Sequence, residues 1–147
     1  MNSAFTTHIQ EDGLLYLTAS SLSVPSLAHG FSTRLGGVSR GVFAALNLGR
    51  GDSTENVQEN YRRFCAVLGV APQRCVLARQ VHRDDVKVVT AQDAGAGLLR
   101  PQDYEADALV TNVPGLTLTI FSADCIPVLL CDPVRRVIAA VHSILTP

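Results

Sequence analysis

The sequence predicts an α+β fold, and three observations carry that expectation. Apolar runs of strand length recur between turn signals, most of them in the second half. One segment alone carries the 3.6-residue period of a helix. The composition, 147 residues that are 47% hydrophobic, 17% charged and 5% aromatic, is that of an ordinary globular chain able to close a core without cross-links.

The apolar runs cover residues 14–17, 86–89, 108–110, 116–121, 128–131 and 137–141, and each is expected to form a strand. Within the fourth, Leu116, Leu118 and Ile120 alternate with Thr117, Thr119 and Phe121, as in a strand with one face in a core and the other partly covered. The helix is expected over 53–68, where Val57, Tyr61, Phe64, Cys65 and Leu68 stack on one face. Asp52 with Glu55 three residues on reads as a capping box, and Gly69 can take the left-handed conformation that ends a helix. Residues 93–97, with two glycines, and Pro101-Gln102-Asp103 read as loop and turn. No internal repeat, low-complexity tract or boundary stands out, so residues 1–147 are expected to form a single domain.

Charge narrows the function classes. With 12 basic and 13 acidic side chains the net charge is −1, and no Lys/Arg run exists. That argues against a nucleic-acid binder or a polybasic membrane-surface protein. The first residues lack the basic and apolar regions of a secretory signal, and no apolar run approaches the ~20 residues that cross a bilayer. Cys65, Cys75, Cys125 and Cys131 form no CxxC, which fits reduced thiols and a cytoplasmic location.

The last two strand-like runs flank Asp132-Pro133-Val134-Arg135, where Pro133 suits the second position of a type I turn. That hairpin would pair Cys131 with Arg136 and set Cys125 opposite His142, about 4.5–5.5 Å apart between Cβ atoms. Pro127 cannot donate to a ladder and loosens the register. A Cys facing a His reads as an imidazole-activated nucleophile, as a pair of metal ligands, or as a buried thiol beside a core histidine. A third ligand would favour a metal. His82, at the end of an apolar stretch, competes for that place with His29 and His8. Three protein ligands and an open position are what a catalytic zinc needs, and its bound water then has a pKa of about 7.

A second constellation is Phe31-Ser32-Thr33-Arg34-Leu35-Gly36-Gly37-Val38-Ser39, followed by Leu46-Asn47-Leu48-Gly49. Hydroxyls, an Arg and a glycine pair can present donors to an anion such as phosphate. They can equally be a Gly-Gly turn with polar residues at the surface.

The segments His29-Gly30-Phe31-Ser32-Thr33-Arg34-Leu35-Gly36-Gly37-Val38-Ser39, Leu46-Asn47-Leu48-Gly49, Gln80-Val81-His82, Ala106-Asp107-Ala108-Leu109-Val110-Thr111 and Ala123-Asp124-Cys125-Ile126-Pro127-Val128-Leu129-Leu130 closely resemble, in order, the laccase-domain family. Its members are also called polyphenol oxidase or purine nucleoside phosphorylase proteins. The resemblance implies a layered α/β sandwich of mixed β-sheets with flanking helices. It also implies a cytoplasmic, single-zinc enzyme that cleaves adenosine and inosine by phosphorolysis, with adenosine deamination and methylthioadenosine cleavage also attributed to the family. Carried over by position, the zinc ligands are His82, Cys125 and His142. Asp124 and Arg34 become candidate catalytic residues, and Ser32, Arg34 and Asn47 candidate phosphate or substrate contacts. The partners implied are a purine nucleoside and phosphate, with no nucleic acid or membrane. Three such ligands do not make a multicopper cluster.

The sequence departs from the family after His142. There it reads Ser143-Ile144-Leu145-Thr146-Pro147 where the family continues with Ala-Gly-Trp-Arg-Gly and further strands and helices. The expectation is a domain lacking its C-terminal part, with uncovered sheet edges open to self-association and the alternative of an inactive remnant.

Overall fold

A computed structural model describes residues 4–143. The chain forms a mixed α/β structure divided into two compact units, residues 1–71 and 72–147. The residues after Ser143, where the sequence departs from the family pattern, lie outside the described part.

In the first unit, strands β1 (Phe5–Ile9), β2 (Leu15–Ala19) and β3 (Phe31–Ser32) form an antiparallel sheet in that order. No apolar run marks β1, because its Thr6, Thr7 and His8 are polar. His8 is paired in this strand with Tyr16, stacks on the Tyr16 ring at 4.6 Å and bonds Thr18 Oγ1 at 2.9 Å. Helix α1 (Thr54–Leu68) is one residue shorter than expected. Its cap is Ser53, whose Oγ accepts from Asn56 N at 3.2 Å, rather than Asp52, whose carboxylate accepts from Ser53 N and Asn56 Nδ2. Gly69 closes the helix at φ 67°. The predicted stripe is the buried one: Phe64, Val67 and Leu68 pack on Leu14, Tyr16 and Leu46, and Tyr61 and Cys65 are buried.

Gly36 and Gly37 are glycines because of how closely the turn approaches other backbone. A Cβ on Gly36 would lie 2.1 Å from Leu14 Cα, and one on Gly37 2.1 Å from Ala45 O. Asn60, wholly buried in α1, locks the same turn. Its Oδ1 accepts from Val38 N at 2.9 Å, and its Nδ2 donates to Ser39 Oγ and to Asn47 O at 2.8 Å each.

In the second unit, β4 (Cys75–Leu77) and β7 (Thr117–Thr119) pair in parallel. Strands β5 (Val86–Val88), β6 (Ala108–Thr111), β8 (Ile126–Asp132) and β9 (Val137–Ser143) make a four-stranded sheet in the order β5-β6-β9-β8. Val76, Ala78, Val89, Ala96, Ala106, Leu109 and Leu116 form the core, with Leu118 and Ile120 packed against it as their alternation predicts. Pairing alternates the other side chains of the sheet onto the opposite face. Val86, Val88, Ile126 and Leu130, 49–67% exposed, lie there with Val110, Val128, Ala139 and Val141.

The β8–β9 register differs from the expected one by two residues. Asp132 pairs with Val137 and Pro127 with His142, so the loop is Pro133 to Arg136. Asp132 Oδ1 accepts from Val134 N and Arg135 N at 2.9 Å each, which makes Asp132 the last strand residue rather than the first loop residue. Pro127 does not disturb the ladder. The His142 N–H across from it turns to Asp107 O of the neighbouring chain segment, 2.7 Å away, so this pair exchanges no backbone bond. Cys125 therefore precedes β8 instead of facing His142 directly.

Candidate metal centre

Three side chains converge in the second unit. Ligand atoms of His82, Cys125 and His142 all lie within 4.8 Å of one another, a grouping that could hold a metal ion. The rings of His82 and His142 stand edge to face, 4.9 Å between centroids.

Each arrives by a different local cause. His142 is buried near the end of β9. His82 follows β4 in an irregular segment and takes φ 62°, a conformation that costs a non-glycine residue and persists only where its surroundings impose it. Here the surroundings are one carboxylate. Asp107, 2% exposed, accepts from Val81 N, His82 N and Arg83 N at 3.1, 3.0 and 3.0 Å, and from His142 Nδ1 at 2.8 Å. Burial alone would raise the Asp107 pKa, but the three amides and the imidazole outweigh it and hold the carboxyl at about 2. Cys125 ends a bend in which Ser122 Oγ donates to its carbonyl. Gln80 fixes the start of that bend, with Oε1 accepting from Phe121 N at 2.6 Å and Nε2 donating to Phe121 O at 2.8 Å. An open cleft of about 580 Å³, lined in part by Arg83, Asp85, Val86, Asp107 and His142, adjoins the group.

Two imidazoles and a thiol suit a borderline-to-soft ion such as zinc. The arrangement fits a resident metal because Nδ1 of His142 is already bonded to a carboxylate, which leaves Nε2 for an ion. Among the three histidines that competed for the third place, His82 stands with Cys125 and His142. His29 Nε2 instead accepts from Ala19 N at 2.9 Å, and His8 is held by Thr18 and Tyr16. Cys125 is not held in a disulfide.

Ser32, Arg34 and Asn47 belong to the first unit. Ser32 is exposed in β3. Arg34 donates from Nε and Nη2 to Ala44 O at 3.0 and 2.5 Å, and Asn47 Oδ1 accepts from Gly49 N at 3.0 Å. Asp124 is exposed in the bend before Cys125. Sequence reasoning missed Asp107 and Gln80 as organisers of the site. A signal for Asp107 was present: an acid inside the apolar stretch 106–110 must find strong partners if that stretch is buried.

A family profile described as multi-copper polyphenol oxidoreductase laccase matches residues 28–143, a span that contains His82, Cys125 and His142. The chain belongs to this family. A Deinococcus radiodurans protein named purine nucleoside phosphorylase is 46% identical over 132 residues, covering 89% of this chain and 47% of the relative. The Escherichia coli purine nucleoside phosphorylase YfiH is 38% identical over 114 residues, covering 76% of this chain and 44% of the relative. Among solved structures, the Bacillus licheniformis hypothetical protein YfiH superposes with a TM-score of 0.81 at 29% identity, over 93% of this chain and 51% of that one. YlmD from Geobacillus stearothermophilus gives 0.80 at 30% identity, over 97% of this laccase-domain chain and 53% of that one. The chain spans about half the length of the curated relatives it matches.

Proposed function

We propose that this laccase-domain chain serves a zinc-dependent purine nucleoside phosphorylase that cleaves adenosine and inosine with phosphate, with adenosine deamination and methylthioadenosine cleavage as further activities. The observation that carries the reading is the His82–Cys125–His142 group backed by a fully bonded Asp107, in a family whose relatives bear the phosphorylase name. His82, Cys125 and His142 would hold one zinc, which supplies a Lewis acid at the nucleoside.

Phosphorolysis develops positive charge on the ribose and negative charge on the departing base. Phosphate oxygen forms a bond to C1′ as the bond from C1′ to the base nitrogen breaks, giving ribose 1-phosphate and free base. Ser32, Arg34 and Asn47 are our candidates for holding phosphate or nucleoside, and Asp124 for exchanging a proton with the leaving base. Arg34, always charged, suits the anion. The proposed location is the cytoplasm; no helix among the described residues is long and apolar enough to cross a membrane.

The test is release of hypoxanthine from inosine, and of adenine from adenosine, by zinc-loaded protein with and without phosphate. Phosphate-dependent release is expected. Absence of any base release from protein carrying stoichiometric zinc would overturn the reading for this chain.

One observation favours a second reading, a non-catalytic chain that associates with itself. Val86, Val88, Ile126 and Leu130 leave an apolar face of the four-stranded sheet open. Sedimentation velocity decides it: a monomer at tens of micromolar would remove this alternative.

A further inference from the structure

We propose that Asp107 is a positioning residue that sets the tautomer of His142 and, through the same carboxylate, holds the backbone of His82, so that one side chain presents both histidines to the ion. The purpose of this device rests on the metal reading above; its geometry does not.

A carboxylate only accepts, through two oxygens with about four lone-pair sites. In Asp107 each of the four is matched to a donor. Oδ1 takes His82 N at 3.0 Å and His142 Nδ1 at 2.8 Å, and Oδ2 takes Val81 N at 3.1 Å and Arg83 N at 3.0 Å. With three places filled by backbone N–H groups that cannot reverse, the fourth must also receive a proton. Neutral His142 therefore carries its hydrogen on Nδ1 and keeps the Nε2 lone pair. Both Asp107 and His142 are buried, at 2% and 5% exposure, so water does not substitute for either partner.

An amide of the same shape cannot reproduce this set. In Asp107→Asn, an Nδ2 placed where Oδ2 stood would face the N–H groups of Val81 and Arg83. Placed where Oδ1 stood, it would face His82 N–H and donate to His142 Nδ1, which moves the imidazole proton to Nε2 and blocks the atom left for a metal. The first arrangement loosens the His82 segment; the second disables His142. A residue acting merely as a loop clamp would affect the first and leave the tautomer alone.

The experiment is ¹⁵N-histidine NMR of the metal-free full chain at pH 8, paired with zinc affinity from chelator competition. Wild type is expected to show His142 protonated at Nδ1. Asp107→Asn is expected to shift the proton to Nε2 or to a mixture, and to weaken zinc binding about 10–100-fold. Asp107→Glu, which remains acceptor-only, should retain the Nδ1–H form and recover part of the affinity. A wild-type His142 protonated at Nε2 overturns the proposal, as does Asp107→Asn with wild-type zinc affinity and an unchanged tautomer. Should Asp107→Asn fail to fold, the wild-type tautomer decides alone. Wild type that shows Nδ1–H yet takes up no zinc supports the positioning and overturns the metal reading instead.

Discussion

Each unit of the chain is organised around one buried polar side chain, and the two differ in what their partners have left over. Asn60 in the first unit meets Val38 N, Ser39 Oγ and the carbonyls of Asn47 and Ala45. Three of those groups are backbone, and the fourth, the hydroxyl of Ser39, hydrogen-bonds Asp52 in turn. Asp107 in the second unit meets three backbone amides and the imidazole of His142, and that imidazole still has a free nitrogen beside a thiol and another imidazole. A buried amide among backbone groups fixes a turn; a buried carboxylate behind a histidine fixes a donor atom. Close backbone approach explains the glycines of the first unit's turn, and the scattered His82, Cys125 and His142 come together as a grouping that could hold a metal ion.

The comparison can be broken most forcefully at Asn60. Asn60→Ala leaves the part-buried Val38 N and Asn47 O without these bonds, and the expected cost is about 1–3 kcal/mol of stability in urea unfolding. Zinc stoichiometry at temperatures where the variant is folded should not change, because all partners of Asn60 lie in the first unit. Loss of zinc in a folded Asn60→Ala would show that the division of labour is wrong.

Gln80→Ala is the matching perturbation in the second unit. It removes both bonds to Phe121 at the start of the bend that carries Cys125. Zinc affinity is expected to fall by chelator competition, by less than the about 10–100-fold that follows loss of a direct partner of a metal ligand, because Gln80 acts on Cys125 only through Phe121. An unchanged affinity would mean that the bend holds its shape without the clamp.

The smallest effect separates two carboxylates that share a folded pKa of about 2. Glu59, on the surface of α1, is lowered from 4.5 by hydrogen bonds from Arg62 and then Arg63. Asp107 is raised by burial but lowered more by its amide and imidazole partners, from 3.8. For both, the folded value lies below the unfolded one. Each therefore contributes stability that is present in full above its unfolded pKa and lost as the pH falls toward about 2. Glu59 is exposed enough for salt to screen its ion pairs, so at 1 M salt its ¹³C-carboxyl titration midpoint should move up while that of Asp107 stays low. Equal movement of both would remove the distinction between a surface pair and a buried network.

How much of this could be read from sequence follows from the range of each interaction. Helix α1 announced itself because Tyr61, Phe64, Cys65 and Leu68 share a face and Gly69 ends it, all within local reach. Its cap went to Asp52 instead of Ser53 because neighbouring residues of both types can cap, and φ and ψ decide. β5, β6, β8 and β9 were visible as apolar runs; β1 was not, because an exposed edge strand has no apolar pattern to display. The nearness of Cys125 and His142 was reached through a register wrong by two residues, an error that preserves the face because side chains alternate with period two. His82 needed more than local pattern, since three histidines were eligible. For Asp107 the sequence signals only that a buried acid needs partners; which ones they are it does not show, because they lie 24 to 35 residues away and only the folded chain brings them together.

The most direct test of the central claim is elemental analysis of purified, dialysed protein, wild type beside Cys125→Ala. About one zinc per wild-type chain is expected and none above background in the variant, with both folded by circular dichroism. Wild type without zinc, or Cys125→Ala retaining it in full, would contradict the assignment of His82, Cys125 and His142 as a metal centre.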